Sequence, residues 1–194
     1  MRGFSALLVL GTAVAAAPAV AEPVRYEIDP GHFSMVFSAD HVGYGSVWGM
    51  FLEGSGSFVF DEEARTLSDL RVEIRTDSVF TNHEGRDGHL RSDAFLDAEA
   101  HPVATFAMTD YAATSETEGT VTGDLSLRGV TKPVTLDVTL NKIGPYPFGS
   151  NYVLGVTATS TVKRSDFGST YAQGGVVGDD IPLVFELEAI RQGE

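Results

Sequence analysis

The chain has 194 residues, 43% of them hydrophobic, no cysteine and a formal net charge of −14. Nucleic acid requires a basic protein surface and anionic lipid surfaces repel an acidic one, so this charge excludes nucleic acid as a partner and disfavours docking on such membranes. Because no disulfide can form without cysteine, the fold must rest on the burial of apolar surface.

The first 21 residues have the three parts of a secretory signal peptide. Arg2 gives a positive start, an apolar stretch follows from Phe4 to Ala17, and Ala19-Val20-Ala21 supplies the small residues of a cleavage site. A membrane anchor is the alternative, but the apolar stretch is short for a span. We therefore predict a cleaved signal peptide at 1–21, one mature domain at 22–194 in the periplasm, and no stable membrane insertion.

The mature chain alternates apolar and polar residues almost throughout, which is the pattern of β-strands with one dry face. The alternation changes phase near Gly54-Ser55-Gly56, where we expect a bulge or sharp bend. Turn residues separate about eight strands, which predicts an all-β, eight-stranded antiparallel β-barrel, with a two-sheet sandwich as the alternative. The residues predicted to line its interior are Phe33, Phe37, Ala39, Phe51, Leu70, Val72, Ile74, Phe106, Leu125, Leu136, Val138, Leu154 and Val156.

Residues 82–97 interrupt the strands with a dense mixture of charges and no two-residue alternation. This pattern predicts one or two short helices that cap the barrel. Asn82 is suited to begin the first helix, and Pro102 prevents continuation.

The interior of an eight-stranded barrel is either filled by side chains or hollow enough for one small ligand. The alternating pattern is compatible with both. Small residues such as Ala39 and Ala158 on the dry faces leave room for a cavity, but they could equally pack opposite large neighbours. A ligand of such a cavity would be mostly hydrocarbon.

Six residues are candidates for a polar mouth of the cavity: His41, Tyr44, Trp48, Arg86, Asp87 and His89. An arginine suits a phosphate or a quinone carbonyl, since its N–H donors form a fork. The alternative is a structural network in which Asp87 and Asp93 pair with arginines and hold the helix over the barrel. His41 shares the inward phase of Ala39 and either donates to a ligand or packs at the rim.

The sequence predicts neither a metal site nor a cofactor nor catalytic residues. His83, Glu84, Asp87 and His89 are close in sequence, but His89 does not share a helical face with His83 and Asp87. There is no HExxH or cysteine pair for zinc and no GxSxG elbow for a nucleophile.

Four groups of residues resemble the YceI-like family of periplasmic, polyisoprenoid-binding, lipocalin-like proteins. Tyr26-Glu27-Ile28-Asp29 begins the first, Arg86-Asp87 and His89-Leu90-Arg91-Ser92 form the second, and residues 123–134 form the third. The fourth comprises Arg164-Ser165-Asp166-Phe167-Gly168. The four occur in order across the mature chain.

The resemblance implies a helically capped, eight-stranded barrel around a long apolar tunnel that carries an isoprenoid lipid, such as a ubiquinone or a polyprenyl phosphate, without catalysis. Two alternatives remain. One is an enzyme that acts on a small hydrophobic substrate through His41 or His89, and the other is a packed stress-response protein with no ligand. A homodimer is compatible with the sequence.

Overall fold

The computed structural model describes residues 23–193, so the predicted signal peptide and its cleavage site lie outside the described residues. No helix within that range is long and apolar enough to cross a membrane. The strands are β1 Val24–His41, β2 Gly45–Phe51, β3 Gly54–Asp61, β4 Thr66–Arg75, β5 Val79–Phe80, β6 Val103–Ala113, β7 Glu118–Leu127, β8 Val130–Pro145, β9 Tyr152–Lys163 and β10 Asp180–Arg191, and the helix α1 is Glu84–Arg91.

The strands form one closed antiparallel barrel. Each strand position pairs with the next along the chain, and β10 pairs with β1 to close the ring. β2 and β3 are two halves of one bent strand, since both lie on the same edge of β1, and β4 and β5 share the next position. The ring therefore has eight positions, which confirms the predicted barrel and rules out the sandwich.

The bend falls at Leu52 and Glu53, directly before the glycines where the sequence predicted it. A further irregularity in the pairing of β3 with β4 lies between Ser57 and Val59. These breaks let the sheet curl tightly enough to close.

Burial along β8 shows that the barrel is hollow. The outward Thr135, Asp137 and Thr139 are exposed, as a wet face requires, whereas the inward Leu136 and Val138 are only half-buried. A close-packed core would bury such side chains completely. Tightly packed clusters lie around Tyr26 and Phe58 and around Phe167 instead.

The barrel has two unlike ends. The cap end gathers α1 with the turns that follow it, the β7–β8 turn and the segment 164–179 between β9 and β10. Arg128 of the β7–β8 turn donates to the carbonyl oxygen of Phe95, and the His89 ring of α1 packs against Tyr171. The turn end carries the turns 62–65 and 114–117, which are joined by a hydrogen bond from Arg65 Nη2 to the carbonyl oxygen of Glu116.

Helix α1 begins at its N-cap His83, whose side chain accepts a hydrogen bond from the backbone N–H of Arg86. The prediction that Asn82 caps the helix was wrong. Asn82 has φ +60°, a left-handed conformation that asparagine tolerates, and this leaves the following residue at the cap position with extended backbone. Beyond Arg91 the chain continues in turns rather than in a second helix.

The cap is fastened to the barrel by a network centred on Thr81. The buried Asp87 carboxylate accepts hydrogen bonds from the Thr81 N–H at 2.8 Å and from the Thr81 hydroxyl. Arg86 donates through Nε to the Thr81 hydroxyl oxygen and through Nη2 to the Thr81 carbonyl, both at 2.7 Å. Burial acts to raise the pKa of Asp87, but these hydrogen bonds and the neighbouring arginines outweigh it, so the pKa lies below its ordinary value of 3.8.

A substitution at Gly123 tests how closely β6 and β7 approach each other. A Cβ atom at this position would lie 2.5 Å from the Phe106 ring and 2.6 Å from the carbonyl oxygen of Ala107. We expect Gly123→Ala to lower the free energy of unfolding by about 1–3 kcal/mol, because a backbone atom has to move. Chemical denaturation measures this, with Gly45→Ala as the control, since a Cβ at Gly45 meets nothing within 4 Å. An equal effect of the two substitutions would contradict the prediction.

Asp87→Asn tests the Thr81 network through pH. Because the folded-state pKa of Asp87 is depressed, its carboxylate stabilises the fold above the ordinary value of 3.8, and this contribution is lost as the pH falls through the folded pKa. We expect the variant to melt below the wild type at pH 7, and the difference in melting temperature to shrink below about pH 4. Asp110→Asn, on the exposed side of β6, serves as the control. A difference in melting temperature that does not change with pH would show that the charge of Asp87 does not contribute to stability.

Candidate functional site

The barrel encloses an apolar cavity of about 290 Å³. Its wall consists of inward side chains from strands all around the ring, because closure directs one face of every strand to the same axis. All thirteen residues predicted to line the interior lie on this wall: Phe33, Phe37, Ala39, Phe51, Leu70, Val72, Ile74, Phe106, Leu125, Leu136, Val138, Leu154 and Val156. The contact of these residues with a ligand stays a prediction.

The cavity extends from one end of the barrel to the other. At the turn end it is lined by Arg65 and by Ser115, Glu116, Thr117 and Glu118, and these last four residues are exposed. At the cap end its wall is buried or half-buried and comes from Leu90, Phe95, Leu96, Arg128, Arg164, Ser169 and Val177. The interior therefore approaches solvent at the turn end.

Arg164 is a buried cation in the cap-end wall. Its guanidinium donates four hydrogen bonds of 2.8–3.0 Å to backbone carbonyls, those of Gly178, Ser169, Tyr171 and Val177. Burial lowers the pKa of Arg164 and the nearby Asp179 opposes that shift, but an arginine stays protonated in either case. The carbonyl dipoles thus take the place of water around this charge.

Arg128 is the second cation of the cap-end wall. It lies in the two-residue turn between β7 and β8, and its Nη1 donates to the carbonyl oxygens of Asp93 and Phe95, the first at 2.9 Å. Its Nε is buried and has no hydrogen-bond partner among residues 23–193. Neither arginine is among the six predicted mouth residues, since a position next to a turn does not reveal that a side chain folds inward.

The six predicted polar mouth residues lie outside the cavity wall. Arg86 and Asp87 are engaged with Thr81, which matches the structural alternative for this pair, although Thr81 and not an arginine is the partner of Asp87. His89 packs edge-on against Phe95 and Tyr171, with ring centroids 5.0 and 5.1 Å away. It is therefore separated from the cavity by the Phe95 ring.

His41, Tyr44 and Trp48 lie at the end of β1, in the following turn and in β2, all outside the cavity wall. His41 is exposed and its backbone bridges to Val177. The side chains of Tyr44 and Trp48 are 94% and 63% exposed, so neither reaches the interior. A head-group role for any of the six stays a prediction that the geometry does not favour.

The described residues contain no group of three or more histidine, aspartate or glutamate side chains arranged to hold a metal ion. No histidine lies on the described cavity wall. The chemistry that the cavity offers is thus apolar contact along its length, two guanidinium groups at the cap end, and Arg65 with two carboxylates at the turn end.

Known proteins resemble this chain in sequence and in structure over most of its length. A UPF0312 protein of Pectobacterium atrosepticum is 37% identical over 186 residues, which cover 96% of this chain and 95% of the relative. The crystal structure of a Campylobacter jejuni YCEI protein is 31% identical, with a TM-score of 0.73 over 80% of this chain and 90% of that one. A polyisoprenoid binding domain of Saccharophagus degradans, implicated in plant cell wall breakdown, has the same fold at 17% identity, with a TM-score of 0.63 over 87% and 99%.

The profile of the YceI-like domain matches residues 26–189, from the first strand to the last. The match includes all four groups of residues on which the resemblance was based. The chain belongs to the YceI-like family.

Proposed function

We propose that this protein binds and carries an isoprenoid lipid, a ubiquinone-like molecule or a polyprenyl phosphate, in the periplasm. The observation that carries the proposal is the hollow apolar interior, whose inward side chains are half-buried against empty space. The alternative of a barrel packed with its own side chains does not fit this cavity.

The energetics favour a hydrocarbon tail. Burial of apolar surface contributes about 0.8 kcal/mol per CH₂, so one five-carbon isoprene unit contributes up to about 4 kcal/mol before the cost of ordering the chain. Several units bind firmly without a single hydrogen bond. A wall of this kind selects length and shape, and the branched prenyl chain suits its mixture of phenylalanine, leucine and valine.

The Saccharophagus degradans domain supports an isoprenoid as the ligand class by analogy of fold. The alternative of an enzyme acting through His41 or His89 lacks support from the geometry, since neither imidazole lies on the cavity wall. Binding of an apolar ligand, by contrast, requires only the apolar wall of the cavity.

Filling the cavity tests the proposal. Leu136→Trp directs a large ring into the empty interior, whereas Thr135→Trp places the same ring on the outer face of the same strand, β8. We expect native mass spectrometry of the wild type and of Thr135→Trp, purified mildly from a quinone-producing host, to show a co-purifying prenyl lipid. Leu136→Trp should lose that lipid while it keeps the barrel's circular dichroism spectrum, because the ring occupies space meant for the tail.

Identification of the extracted lipid distinguishes the ligand classes. A prenyl quinone or polyprenyl phosphate supports the proposal. A wild-type protein without any bound lipid, or equal lipid in both tryptophan variants, would overturn it.

Export is tested on the mature protein. We expect the wild-type protein to be recovered from the periplasmic fraction with Glu22 as its first residue, since cleavage follows Ala19-Val20-Ala21. Intact-mass measurement of that fraction gives the answer. Recovery of the uncleaved chain from the membrane fraction would favour the anchor alternative instead.

A further inference from the structure

The turn between β7 and β8 directs Arg128 toward the cavity. Leu127 pairs with Val130 across a two-residue turn in which Arg128 and Gly129 have φ of +53° and +73°. Left-handed backbone at both central residues is the geometry of a tight hairpin turn that follows the twist of the strands. The arginine at its first central position reaches the carbonyl oxygens of Asp93 and Phe95 and joins the cavity wall.

The Nε of Arg128 is the one buried side-chain nitrogen or oxygen within residues 23–193 that has no hydrogen-bond partner. A buried donor without a partner is costly, and a donor that belongs to a charged group is more so. In a site that is otherwise satisfied, such a donor indicates where an acceptor from outside the chain belongs.

A second positive charge stands beside it. The guanidinium of Arg164 lies 5.9 Å above the Phe95 ring, and the carbonyl of the same Phe95 accepts from Arg128. No ion pair of either arginine is found in the described part of the chain. The cap end of the cavity therefore holds two cations whose hydrogen bonds go to neutral carbonyls.

The turn end has the opposite character. Its wall contains Arg65 together with Glu116 and Glu118, which are the carboxylates that residues 23–193 place on the cavity lining. The cavity thus has a positive end and an acidic end joined by an apolar wall, which orients a molecule that carries charge at one end only.

We propose that Arg128 and Arg164 form the head-group site of this barrel and select an anionic head, a phosphate or a carboxylate, which accepts a hydrogen bond from Arg128 Nε. The tail of the same molecule lies along the apolar wall toward the turn end. This inference rests on the proposed lipid-binding function and adds the head-group chemistry and the orientation of the ligand.

The test compares two probes with the same fifteen-carbon tail, farnesyl phosphate and farnesol, by titration calorimetry. We expect the wild type to bind farnesyl phosphate about tenfold or more tightly than farnesol, the ratio that one charge-assisted hydrogen bond provides. Arg128→Met should lower this ratio severalfold, with Arg164 still in place, and leave the affinity for farnesol nearly unchanged. Arg65→Met is the matched change at the other end of the cavity. It should leave the ratio of the two affinities unchanged, even if it alters the binding of the tail.

A second measurement avoids the risk that Arg128→Met loosens the cap. In the wild type, the arginine Nε–H resonance of Arg128, assigned by its loss in Arg128→Lys, should shift when farnesyl phosphate is added and stay in place with farnesol. The Nε–H resonance of Arg65, at the turn end, serves as the internal control.

The outcomes separate the two proposals. Equal binding of both probes by the wild type, or loss of the ratio in Arg65→Met instead of Arg128→Met, overturns the head-group site and leaves lipid binding standing. Binding of neither probe overturns both.

Discussion

The interior depends on the backbone pairing of the last strand with the first. Antiparallel pairs run from Tyr26 and Arg191 to Phe37 and Leu183, and they turn a curled meander into a ring. Without this seam the inward side chains would face solvent on an open sheet. With it they face one another across the barrel axis, where eight strands leave room either for a packed core or for one small ligand. The half-buried Leu136 and Val138 show that this barrel is of the hollow kind. Within residues 23–193 the other strand pairings join neighbours along the chain, whereas the seam joins the first strand to the last.

At the cap end, charged side chains lie over an apolar interior and need hydrogen-bond partners. Three arginines meet backbone carbonyl oxygens there: Arg86 at Thr81, Arg128 at Asp93 and Phe95, and Arg164 at four sites between residues 169 and 178. Loop segments outside the strands have backbone carbonyl oxygens that need hydrogen-bond donors, and the forked guanidiniums of Arg128 and Arg164 each supply more than one. The same contacts hold the cations at the cap end without neutralising their charge, which leaves that end of the cavity electropositive in an acidic protein.

Sequence reasoning recovered the regular part of the molecule. Alternation identified the barrel, the bend before Gly54 and the thirteen wall residues, because a period of two assigns every residue of a paired strand to one face. Alternation did not predict the direction of side chains where strands end. His41 continues the inward phase of Ala39, yet the turn that follows leaves it outside. Arg128 and Arg164 are missing from the predicted mouth residues for the converse reason, since a left-handed turn and a short 3₁₀ segment set their directions and neither has a periodic pattern. The charged segment 82–97 drew attention to Arg86 and Asp87, but its role is to fasten the cap.

The position of Trp48 has a practical consequence. It is the only tryptophan of the chain, it stands largely in water on the outer side of β2, and it does not belong to the cavity wall. Its ultraviolet emission will therefore be that of a hydrated indole in the folded state and will stay nearly silent when the barrel fills or empties. Occupancy has to be followed through a chromophore on the guest, such as a polyene or quinone absorbance. The same indole is well placed to sense any macromolecule that settles against the outside of the rim.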